Sequence, residues 1–462
     1  MAKAKPVIAI IDVGKTNKKL FLFDEHYRIV YERSARFSET EDEDGFLCEN
    51  VESLRLALFD SLRDVFRKKE FNIKAVNFTT YGASFVYIDE EGSAIAPLYN
   101  YLKPYPKELQ TQFYDTYGGE EEFSHRTASP VLGNLNSGMQ LFRIKYEKPE
   151  LFARIKYALH LPQYLSYLIT GNVCSDITSI GCHTNLWDFE KNNYHDWVAN
   201  EGILEKLAPI TSFDTVMPAI FPGSKYPVGI GLHDSSAALI PYQVNFHEPF
   251  VLISTGTWCI SLNPFNDLPL TVEELKQDCL CYMHYKGKPV KASRLFAGQQ
   301  YEEQVNRIAD HFQQNPARYK TISYKPEIIA ALQNKNVPDN FPGNLLSECP
   351  FVRRDLSEFL NDTEAYHQLM LDIISQQFFS TTLILKGTDV RRIFVDGGFS
   401  KNLLYMNLLA SVFPGIEVYA ASMAQATALG AALAINKTWN KIPPPGDIIE
   451  LKYYTVTQDI LL

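Results

Sequence analysis

Two segments near opposite ends of the sequence share an apolar run that ends in Asp followed by Gly. The first is Val7-Ile-Ala-Ile-Ile-Asp12-Val-Gly14, and the second is Ile393-Phe-Val-Asp396-Gly-Gly398. Each apolar run predicts a strand that is buried on both faces. The Gly that follows lets the chain turn sharply and brings backbone N–H groups close to a ligand. Two such units in one chain predict a nucleotide held between two domains.

A third segment repeats the layout of the N-terminus. The predicted strands 250–254 and 258–262 are joined by a polar Gly turn, as are the predicted strands 7–13 and 20–24. This repeat of layout implies a duplicated domain. A chain of 462 residues also exceeds a comfortable single core. We therefore predict an α/β protein with an N-terminal domain at 1–242 and a C-terminal domain at 243–462.

Charge and composition narrow the class of protein. The net charge of −10 argues against nucleic acid or an anionic membrane as partner. No apolar run approaches the ~20 residues of a membrane span, and the N-terminus lacks the pattern of a signal peptide. The seven cysteines are scattered without a Cys-x-x-Cys motif, which is typical of reduced thiols in a cytoplasmic enzyme. Cys279, Cys281 and His284 lack the second ligand pair of a structural zinc site, so we interpret these cysteines as buried thiols on a strand.

Helical periodicity and helix signals predict several further elements. Residues 50–68, 139–170 and 363–386 are predicted as helical, and within 139–170 Pro162 is predicted to open a segment that ends at Thr170-Gly171. Another helix is predicted from Lys401 to about Phe413, with Ser400 as its N-cap. These predictions place the motifs below at the ends of strands and the beginnings of helices.

Two hairpin tips are candidate phosphate-binding turns. Gly and hydroxyl or amide residues at a hairpin tip offer backbone N–H groups to an anion, and lysines add positive charge to the first tip. Each tip alone is equally compatible with an ordinary hairpin, but the repetition at equivalent points favours phosphate binding. Neither tip is a Walker loop. The candidate phosphate-binding residues are Gly14, Lys15, Thr16, Asn17, Lys19, Thr255, Gly256 and Thr257.

Asp12 and Asp234 are candidates for the chemistry. A carboxylate at Asp12 would repel a neighbouring phosphate unless a cation lies between them, which predicts Mg²⁺ held largely through water; the alternative is an Asp that caps a turn. Asp234 follows His233 and precedes a predicted helix start. A helix N-terminus keeps a carboxylate ionised and able to accept a proton. Local sequence alone would favour a simple helix cap at Asp234.

The third candidate site combines the second Asp-Gly unit with a helix of small residues. Gly397 and Gly398 permit the close approach of a flat ring, and Ala428, Gly430 and Ala431 let backbones pack tightly. Close helix packing without a ligand is the alternative for these residues.

Together these motifs resemble the FGGY family of carbohydrate kinases, along nearly the whole chain. Asp12-x-Gly14 with Thr16 and Lys19 is similar to the family's first phosphate motif, and Ser254-Thr-Gly-Thr257 to the second. Asp396-Gly-Gly398 with the Gln425-Ala-Thr-Ala-Leu-Gly430 helix is similar to the adenosine motif, and His233-Asp234-Ser-Ser to the segment that carries the catalytic base.

The resemblance implies two duplicated actin-like (ribonuclease H-like) domains of the sugar kinase/Hsp70/actin superfamily, with the active site in the cleft between them. It also implies ATP and Mg²⁺ as cofactors, Asp234 as general base, Asp12 near the metal, and Gly397, Gly398 and Gln425 at the adenosine. The N-terminal domain would hold the sugar, the first phosphate loop and Asp234, and the C-terminal domain the second phosphate loop and the adenosine.

Within the family, Ser254-Thr-Gly-Thr-Trp258 and His233-Asp234 are most similar to the rhamnulokinase and fuculokinase branch. This implies a deoxy-ketohexose such as L-rhamnulose or L-fuculose; the alternative acceptors are xylulose, ribulose and glycerol. The chain departs from the family at Lys15 and at Gly82-Ala83-Ser84, which lacks a carboxylate. The candidate sugar-binding residues are Tyr81, Gly82, Gln163, Tyr164, His233, Asp234 and Gln299.

Two other classes of protein share parts of this pattern. An actin-like or chaperone-like ATPase would keep both phosphate turns but would need no base, and Asp234 in its His-Asp-Ser-Ser context favours the kinase. A catalytically silent sugar sensor is the second alternative. The sequence does not fix the oligomeric state, for which a homodimer is our working hypothesis.

Overall fold

The computed structural model describes residues 3–15, 18–35, 38–220, 225–332, 346–423 and 425–456. The chain forms two compact units, each built from discontinuous segments. Unit 1 comprises Met1–Asn245, Cys281–Pro289 and Ala424–Ile448, and unit 2 comprises Phe246–Leu280, Val290–Met423 and Ile449–Leu462. The functions assigned from the sequence to 1–242 and 243–462 stay predictions.

The strands are numbered in chain order. They are β1 (Lys5–Val13), β2 (Lys18–Asp24), β3 (Ile29–Ala35), β4 (Glu39–Glu41), β5 (Leu47–Glu49), β6 (Phe71–Thr80), β7 (Phe85–Ile88), β8 (Tyr157–His160), β9 (Trp187–Asp188), β10 (Asn193–Tyr194), β11 (Val216–Pro218), β12 (Pro227–Gly229), β13 (Leu232–His233), β14 (Phe250–Thr255), β15 (Cys259–Asn263), β16 (Cys279–Met283), β17 (Pro289–Leu295), β18 (Arg392–Gly397), β19 (Glu417–Ser422) and β20 (Glu450–Tyr454).

The α-helices are numbered in the same way. They are α1 (Val51–Arg67), α2 (Lys107–Thr116), α3 (Glu120–Thr127), α4 (Ser137–Glu147), α5 (Pro149–Arg154), α6 (Leu161–Thr170), α7 (Ile177–Ile180), α8 (Asp196–Asn200), α9 (Asp234–Asn245), α10 (Val272–Lys276), α11 (Ala297–Phe312), α12 (Pro326–Leu332), α13 (Asp362–Leu385), α14 (Leu403–Val412), α15 (Ala426–Ala434) and α16 (Asn436–Trp439). Short 3₁₀ helices, including Phe399–Lys401, connect some of them. Among the described helices, none combines the length and the apolar character needed to cross a membrane.

Unit 1 is organised around a mixed sheet in the order β11-β12-β6-β1-β2-β3, with β13 also paired to β6. β1 runs antiparallel to β2 and parallel to β6. Its residues Val7 to Ile10 are fully buried, as the apolar run predicts for a central strand. One buried core cluster of this unit includes β1, β6 and the inward face of α1, where Leu54, Leu58 and Leu62 recur at helical spacing.

A second mixed sheet has the order β16-β17-β15-β14-β18-β19-β20, and the strands from β15 to β20 in this order belong to unit 2. β14 runs antiparallel to β15 and parallel to β18, which repeats the arrangement of β1 with β2 and β6 in unit 1. In unit 1, β6 pairs in parallel with β12, which pairs antiparallel with β11. In unit 2, β18 likewise pairs in parallel with β19, which pairs antiparallel with β20. The repeat of layout seen in the sequence is therefore a repeat of topology.

The helical region predicted over 139–170 is confirmed in its last part, where Pro162 is in the first turn of α6 and Thr170-Gly171 ends that helix, but the region is not continuous. This segment contains α4, α5, the strand β8 and α6, with Pro149 and Pro162 in the first turns of α5 and α6. Proline lacks the backbone N–H that a helix interior requires, so α5 begins at its proline and α6 one residue before its proline. The helix predicted from Lys401 begins instead at Leu403, capped by the Asn402 side chain, which accepts hydrogen bonds from Leu404 N and Tyr405 N.

Candidate active site

Asp12 lies near the end of β1, opposite Lys19 on β2 and Thr79 on β6. The Thr427 hydroxyl, in the first turn of α15, donates a hydrogen bond of 2.6 Å to Asp12 Oδ2. Burial raises the pKa of Asp12 to about 7; the Thr427 hydrogen bond opposes this rise, and the negative charge of Asp234 adds to it. The carboxyl group of Asp12 therefore lies in a position that favours a cation beside it.

Asp234 is the first residue of α9, and its side chain remains 29% exposed. The backbone N–H of Ser235 donates to Asp234 Oδ1 at 2.6 Å, and the Ser235 hydroxyl lies 3.3 Å from the same oxygen. Burial raises the pKa of Asp234 to about 6, against the lowering effect of these hydrogen bonds. A carboxyl group with this pKa is mostly ionised at pH 7 and has a basicity suited to accepting a proton.

His233 lies beside this carboxylate as a neutral imidazole. Its Nε2 is 3.3 Å from Asp234 Oδ1, and burial lowers the pKa of the ring to about 4. The ring stacks on Tyr282, with centroids 5.7 Å apart. A Cβ on Gly82 would lie only 2.8 Å from His233 Nε2, so glycine at this position leaves the room that the imidazole occupies. Gly82, a predicted sugar-site residue, is thereby adjacent to His233.

Buried polar residues hold the backbone that leads into Asp234. Asn77 Oδ1 accepts from Gly231 N at 3.1 Å, and Asn77 Nδ2 donates to Ala431 O at 2.8 Å. The Thr178 hydroxyl accepts from His233 N at 3.0 Å. Asn77, Thr178 and Thr427 were not among the residues predicted from the sequence. The sequence gives one indication of Asn77 and Thr427, because each is a polar residue within an element whose neighbouring residues are apolar or small.

The predicted residues of the first phosphate turn are described in part. Thr16 and Asn17 lie outside the described residues. Gly14, Lys15 and Lys19 are partly exposed. Lys19 Nζ forms an ion pair of 2.6 Å with Glu32, and the Lys15 ammonium group lies over the rings of Tyr81 and Tyr101, 5.6 and 5.5 Å from their centroids.

Three other predicted site residues lie in different surroundings. Gln163 is fully buried and donates through Nε2 to Gly231 O at 3.0 Å, so it supports the segment before Asp234. Tyr164 is 2% exposed and lines a separate cavity of unit 1 that also includes Glu49 and Arg55. Gln299 is in unit 2 on α11, where its N–H donates to Thr257 O at 3.2 Å. Their roles in sugar binding stay predictions.

A cavity of about 490 Å³ in unit 2 is lined by residues of the turn at 254–257 and of the Asp396-Gly-Gly398 segment. It is lined by the turn after β14, the start of α11 and the segment after β18, namely Thr255, Gly256, Thr257, Gly298, Tyr301, Glu302, Lys320, Gly398, Phe399, Lys401 and Asn402. Its volume is in the range of small-molecule sites. The sequence motifs at 254–257 and 396–398 are thus brought to one cavity. Gln425, predicted at the same site, belongs to unit 1, where it precedes α15 with a left-handed backbone.

Glycines and one threonine shape this cavity. A Cβ on Gly298 would lie 1.8 Å from Gly256 O, and one on Gly397, where φ is +89°, would lie 1.9 Å from Thr255 O. The Thr255 hydroxyl donates to Asp396 O and accepts from Phe399 N at 3.0 Å. These contacts hold the two motifs together with close backbone approaches that a side chain would prevent.

One side of the cavity is aromatic and part of its rim is basic. Tyr301 packs edge-on against Phe399, which in turn stacks on Tyr405 with centroids 4.6 Å apart. Lys320 and Lys401 add two ammonium groups to the lining. An aromatic wall with nearby cations suits a ligand that combines a flat ring with negative charge.

Comparison with known proteins identifies the family. Residues 7–240 match the N-terminal domain of the FGGY family of carbohydrate kinases, and residues 247–443 match the FGGY C-terminal domain. The chain belongs to the FGGY family of carbohydrate kinases. Members of this family are ATP-dependent phosphotransferases, so this protein is a carbohydrate kinase that uses ATP.

Solved structures show the same fold at low sequence identity. A carbohydrate kinase from Novosphingobium aromaticivorans is 22% identical with a TM-score of 0.80, over 98% of this chain and 95% of that one. A ligand-bound xylulose kinase from Lactobacillus acidophilus is 16% identical with a TM-score of 0.79, over 98% and 94%. A glycerol kinase from Plasmodium falciparum with ADP is 17% identical with a TM-score of 0.75, over 95% and 90%. The predicted two-domain sugar kinase fold is confirmed.

Proposed function

We propose that this protein transfers the γ-phosphoryl group of ATP to a hydroxyl group of a neutral ketose, with Asp234 as the general base. The observation that carries the proposal is the Asp234 carboxylate itself. It begins α9, is partly exposed, has a pKa near 6 and lies next to His233. An actin-like ATPase would need no such base, and the family match also favours the kinase.

In the proposed reaction the acceptor hydroxyl gives its proton to an Asp234 carboxylate oxygen as its own oxygen attacks the γ-phosphorus. The bond from the γ-phosphorus to the bridging oxygen of ADP breaks, and the products are ADP and the sugar phosphate. Neutral His233 lies with Nε2 3.3 Å from Asp234 Oδ1, so it flanks the carboxylate without adding a charge. Ser235 N holds the same oxygen from the helix side.

The residues around Asp12 fit a magnesium ion held mainly through water. No cluster of three or more His, Cys, Asp or Glu side chains that could hold a metal occurs in the part of the chain that the structure describes. A lone carboxylate is nevertheless the kind of protein ligand that Mg²⁺ accepts when it keeps its waters and binds substrate phosphates. When bound, Mg²⁺ would neutralise phosphate charge. Asp12 would face the hydrated ion, and Thr427 would fix the rotamer of Asp12.

The nucleotide is assigned to the cavity of unit 2. The donor set fits ATP: the Gly256 turn presents backbone, Tyr301 and Phe399 offer ring faces, and Lys320 and Lys401 supply positive charge. Lys15 and Lys19, with Thr16 and Asn17, stay proposed phosphate-binding residues on the evidence of their sequence motif. Gln425 stays a proposed adenosine-binding residue on the evidence of its motif.

The proposed acceptor is a deoxy-ketohexose such as L-rhamnulose or L-fuculose. Tyr81 and Tyr101 form an aromatic pair with centroids 5.9 Å apart, which can pack a methyl group. Tyr81, Gly82, His233 and Asp234 are the proposed pocket residues nearest the base. Solved relatives include xylulose, gluconate and glycerol kinases, so xylulose, ribulose and glycerol are the alternative acceptors. A cytoplasmic location and a homodimer complete the proposal.

The test is ADP release with Mg-ATP across a panel of L-rhamnulose, L-fuculose, L- and D-xylulose, L- and D-ribulose and glycerol. We expect one sugar to accelerate ADP release by about a hundredfold or more, with phosphate found on the sugar by mass spectrometry. ADP release at one rate with every acceptor, with ATP bound normally, would contradict the proposed acceptor class. Rapid ATP hydrolysis without any sugar would favour the actin-like alternative.

A further inference from the structure

A buried glutamate lies behind the first phosphate turn. Glu49, the last residue of β5, is only 2% exposed. Two ammonium groups of the turn approach its carboxylate: Lys18 Nζ at 3.2 Å and Lys15 Nζ at 3.7 Å from Oε1. A buried carboxylate is unfavourable unless it is paired with positive charge. No sequence motif singles out Glu49.

The same contacts restrict Lys15 from several directions. Its ammonium group lies over the Tyr81 and Tyr101 rings, and Lys18 Nζ donates to Lys15 O at 3.4 Å. The negative charge of Glu49 also raises the pKa of the buried Tyr81 hydroxyl, after the larger effect of burial. Lysine has a flexible stem, so an ammonium group in open solvent would sample many positions. Here a carboxylate and two aromatic faces confine it.

Backbone and side-chain contacts connect the Lys15 ammonium group to the residues around Asp234. Tyr81 N donates to Val13 O at 3.0 Å, which joins the Tyr81-Gly82 segment to the end of β1. Gly82 packs against His233. The Tyr101 ring, which lies under the Lys15 ammonium group, packs against Tyr81 with centroids 5.9 Å apart, and burial and then the charge of Asp234 raise the pKa of its hydroxyl.

We infer that Glu49 is a positioning residue, which holds the Lys15 ammonium group at the place where negative charge develops during phosphoryl transfer. The inference rests on the proposed function and deepens it. A charge that is already in place stabilises a transition state more effectively than one that must be reoriented. Glu49 touches neither substrate in this scheme and acts through Lys15.

The kinetic test compares Glu49→Gln, Lys15→Met and the double variant. We expect each single variant to lower kcat by about tenfold or more. In the Lys15→Met background, Glu49→Gln should lower kcat by less than about twofold further, because its effect passes through Lys15. Effects that multiply in the double variant would overturn the inference. A wild-type kcat in Lys15→Met would overturn it even if Glu49→Gln failed to fold.

Glu32→Gln is the matched control. Glu32 forms a shorter ion pair with Lys19 in the same hairpin, but its side chain is 40% exposed. Exposed ion pairs contribute little, so we expect kcat to stay within about twofold of wild type. A Glu32→Gln loss equal to that of Glu49→Gln would mean that burial of Glu49 has no special role.

A second readout does not depend on knowing the sugar. We would label the wild-type protein and Glu49→Gln with an amine-reactive reagent and measure modification of Lys15 and Lys19 by mass spectrometry. Release of Lys15 should raise its labelling rate several-fold in Glu49→Gln, while Lys19 is unchanged. Equal Lys15 labelling in both proteins would overturn the inference. A labelling change in an enzyme that phosphorylates no ketose would support the positioning and contradict the proposed acceptor class.

Discussion

At the scale of single residues, Asp234→Asn tests the base directly. The amide has the same shape and can still accept from Ser235 N, so we expect the fold and ATP binding to be retained. The amide cannot accept the acceptor proton, and sugar phosphorylation should fall by about 10²-fold to 10⁴-fold. The measurement is kcat with the best acceptor, beside ATP affinity by calorimetry. Turnover within tenfold of wild type would remove Asp234 from the mechanism.

The acidity of Asp234 also predicts the pH dependence of the reaction. A base with a pKa near 6 is protonated at lower pH and then cannot accept a proton. We expect kcat/KM to fall as the pH is lowered through about 6, because Asp234 then becomes protonated. The profile should be measured from pH 5 to pH 9, with residual folding checked at each pH. A profile that stays flat down to pH 5 would be inconsistent with this assignment.

The ionised carboxylate of Asp12 is predicted to lower the free energy of unfolding when no metal is bound, because this carboxylate is buried. Its pKa in the fold is about 7 against an ordinary value of 3.8. The stabilisation from protonated Asp12 is therefore complete below about pH 4 and is lost as the pH rises through about 7. Asp12→Asn should raise the melting temperature by a few degrees at pH 8 and by little at pH 4, in buffer without Mg²⁺. Thermal unfolding at both pH values checks this, and a variant less stable than wild type at pH 8 would contradict it.

At the scale of elements, the contact between α15 and α9 couples packing to the base. A Cβ on Gly430 would lie 1.9 Å from Ala237 O, so Gly430→Ala must push α15 away from the helix that begins with Asp234. We expect a loss of about 1–3 kcal/mol in the free energy of unfolding and a lower kcat. Gly446→Ala is the control, because a Cβ there meets no atom within 4 Å. Equal stability of the two variants would contradict this packing.

The elements also show why two predicted helix boundaries differ from the structure. Residues 139–170 carry apolar residues at helical spacing, yet β8 interrupts them, since Tyr157 to His160 pair with β7 in a two-stranded sheet. The nearest cap candidate for α14 was Ser400, but the Ser400 hydroxyl donates to Gly397 O and Asn402 caps the helix. Long-range pairing and a local turn decided these boundaries, and neither leaves a signal in a short window of sequence.

At the scale of the whole molecule, the reactivity of the cysteine thiols measures whether both units are folded. All seven are buried, without a disulfide between them. Burial raises the pKa of the thiols of Cys174, Cys182 and Cys259 to about 12, so little reactive thiolate forms at neutral pH. We expect a thiol-specific reagent to modify far fewer than seven cysteines in native protein and all seven in guanidinium chloride. Immediate reaction of all seven without denaturant would contradict this burial.

The sequence by itself determined the fold class, the duplication and the family of this protein. Apolar runs such as 7–11 and 393–395 form central strands because a strand covered on both faces removes every side chain of such a run from water. The Asp-Gly ends recur at equivalent points, and the cofactor class followed from the same local motifs. Asp12 and the turn at 254–257 are candidates from local sequence, whereas Asp234 needs its wider context, because local sequence alone favours a helix cap there.

Only the tertiary structure decided which distant residues meet. Thr427 contacts Asp12, Asn77 ties Gly231 to α15, and Glu49 faces Lys15 and Lys18, each across a long stretch of sequence. It also placed Tyr164 on the lining of a cavity shared with Glu49 and Arg55, and α15 in unit 1. Local sequence encodes periodicity and turns, whereas these pairings follow from how strands and helices pack, a property that no single segment carries.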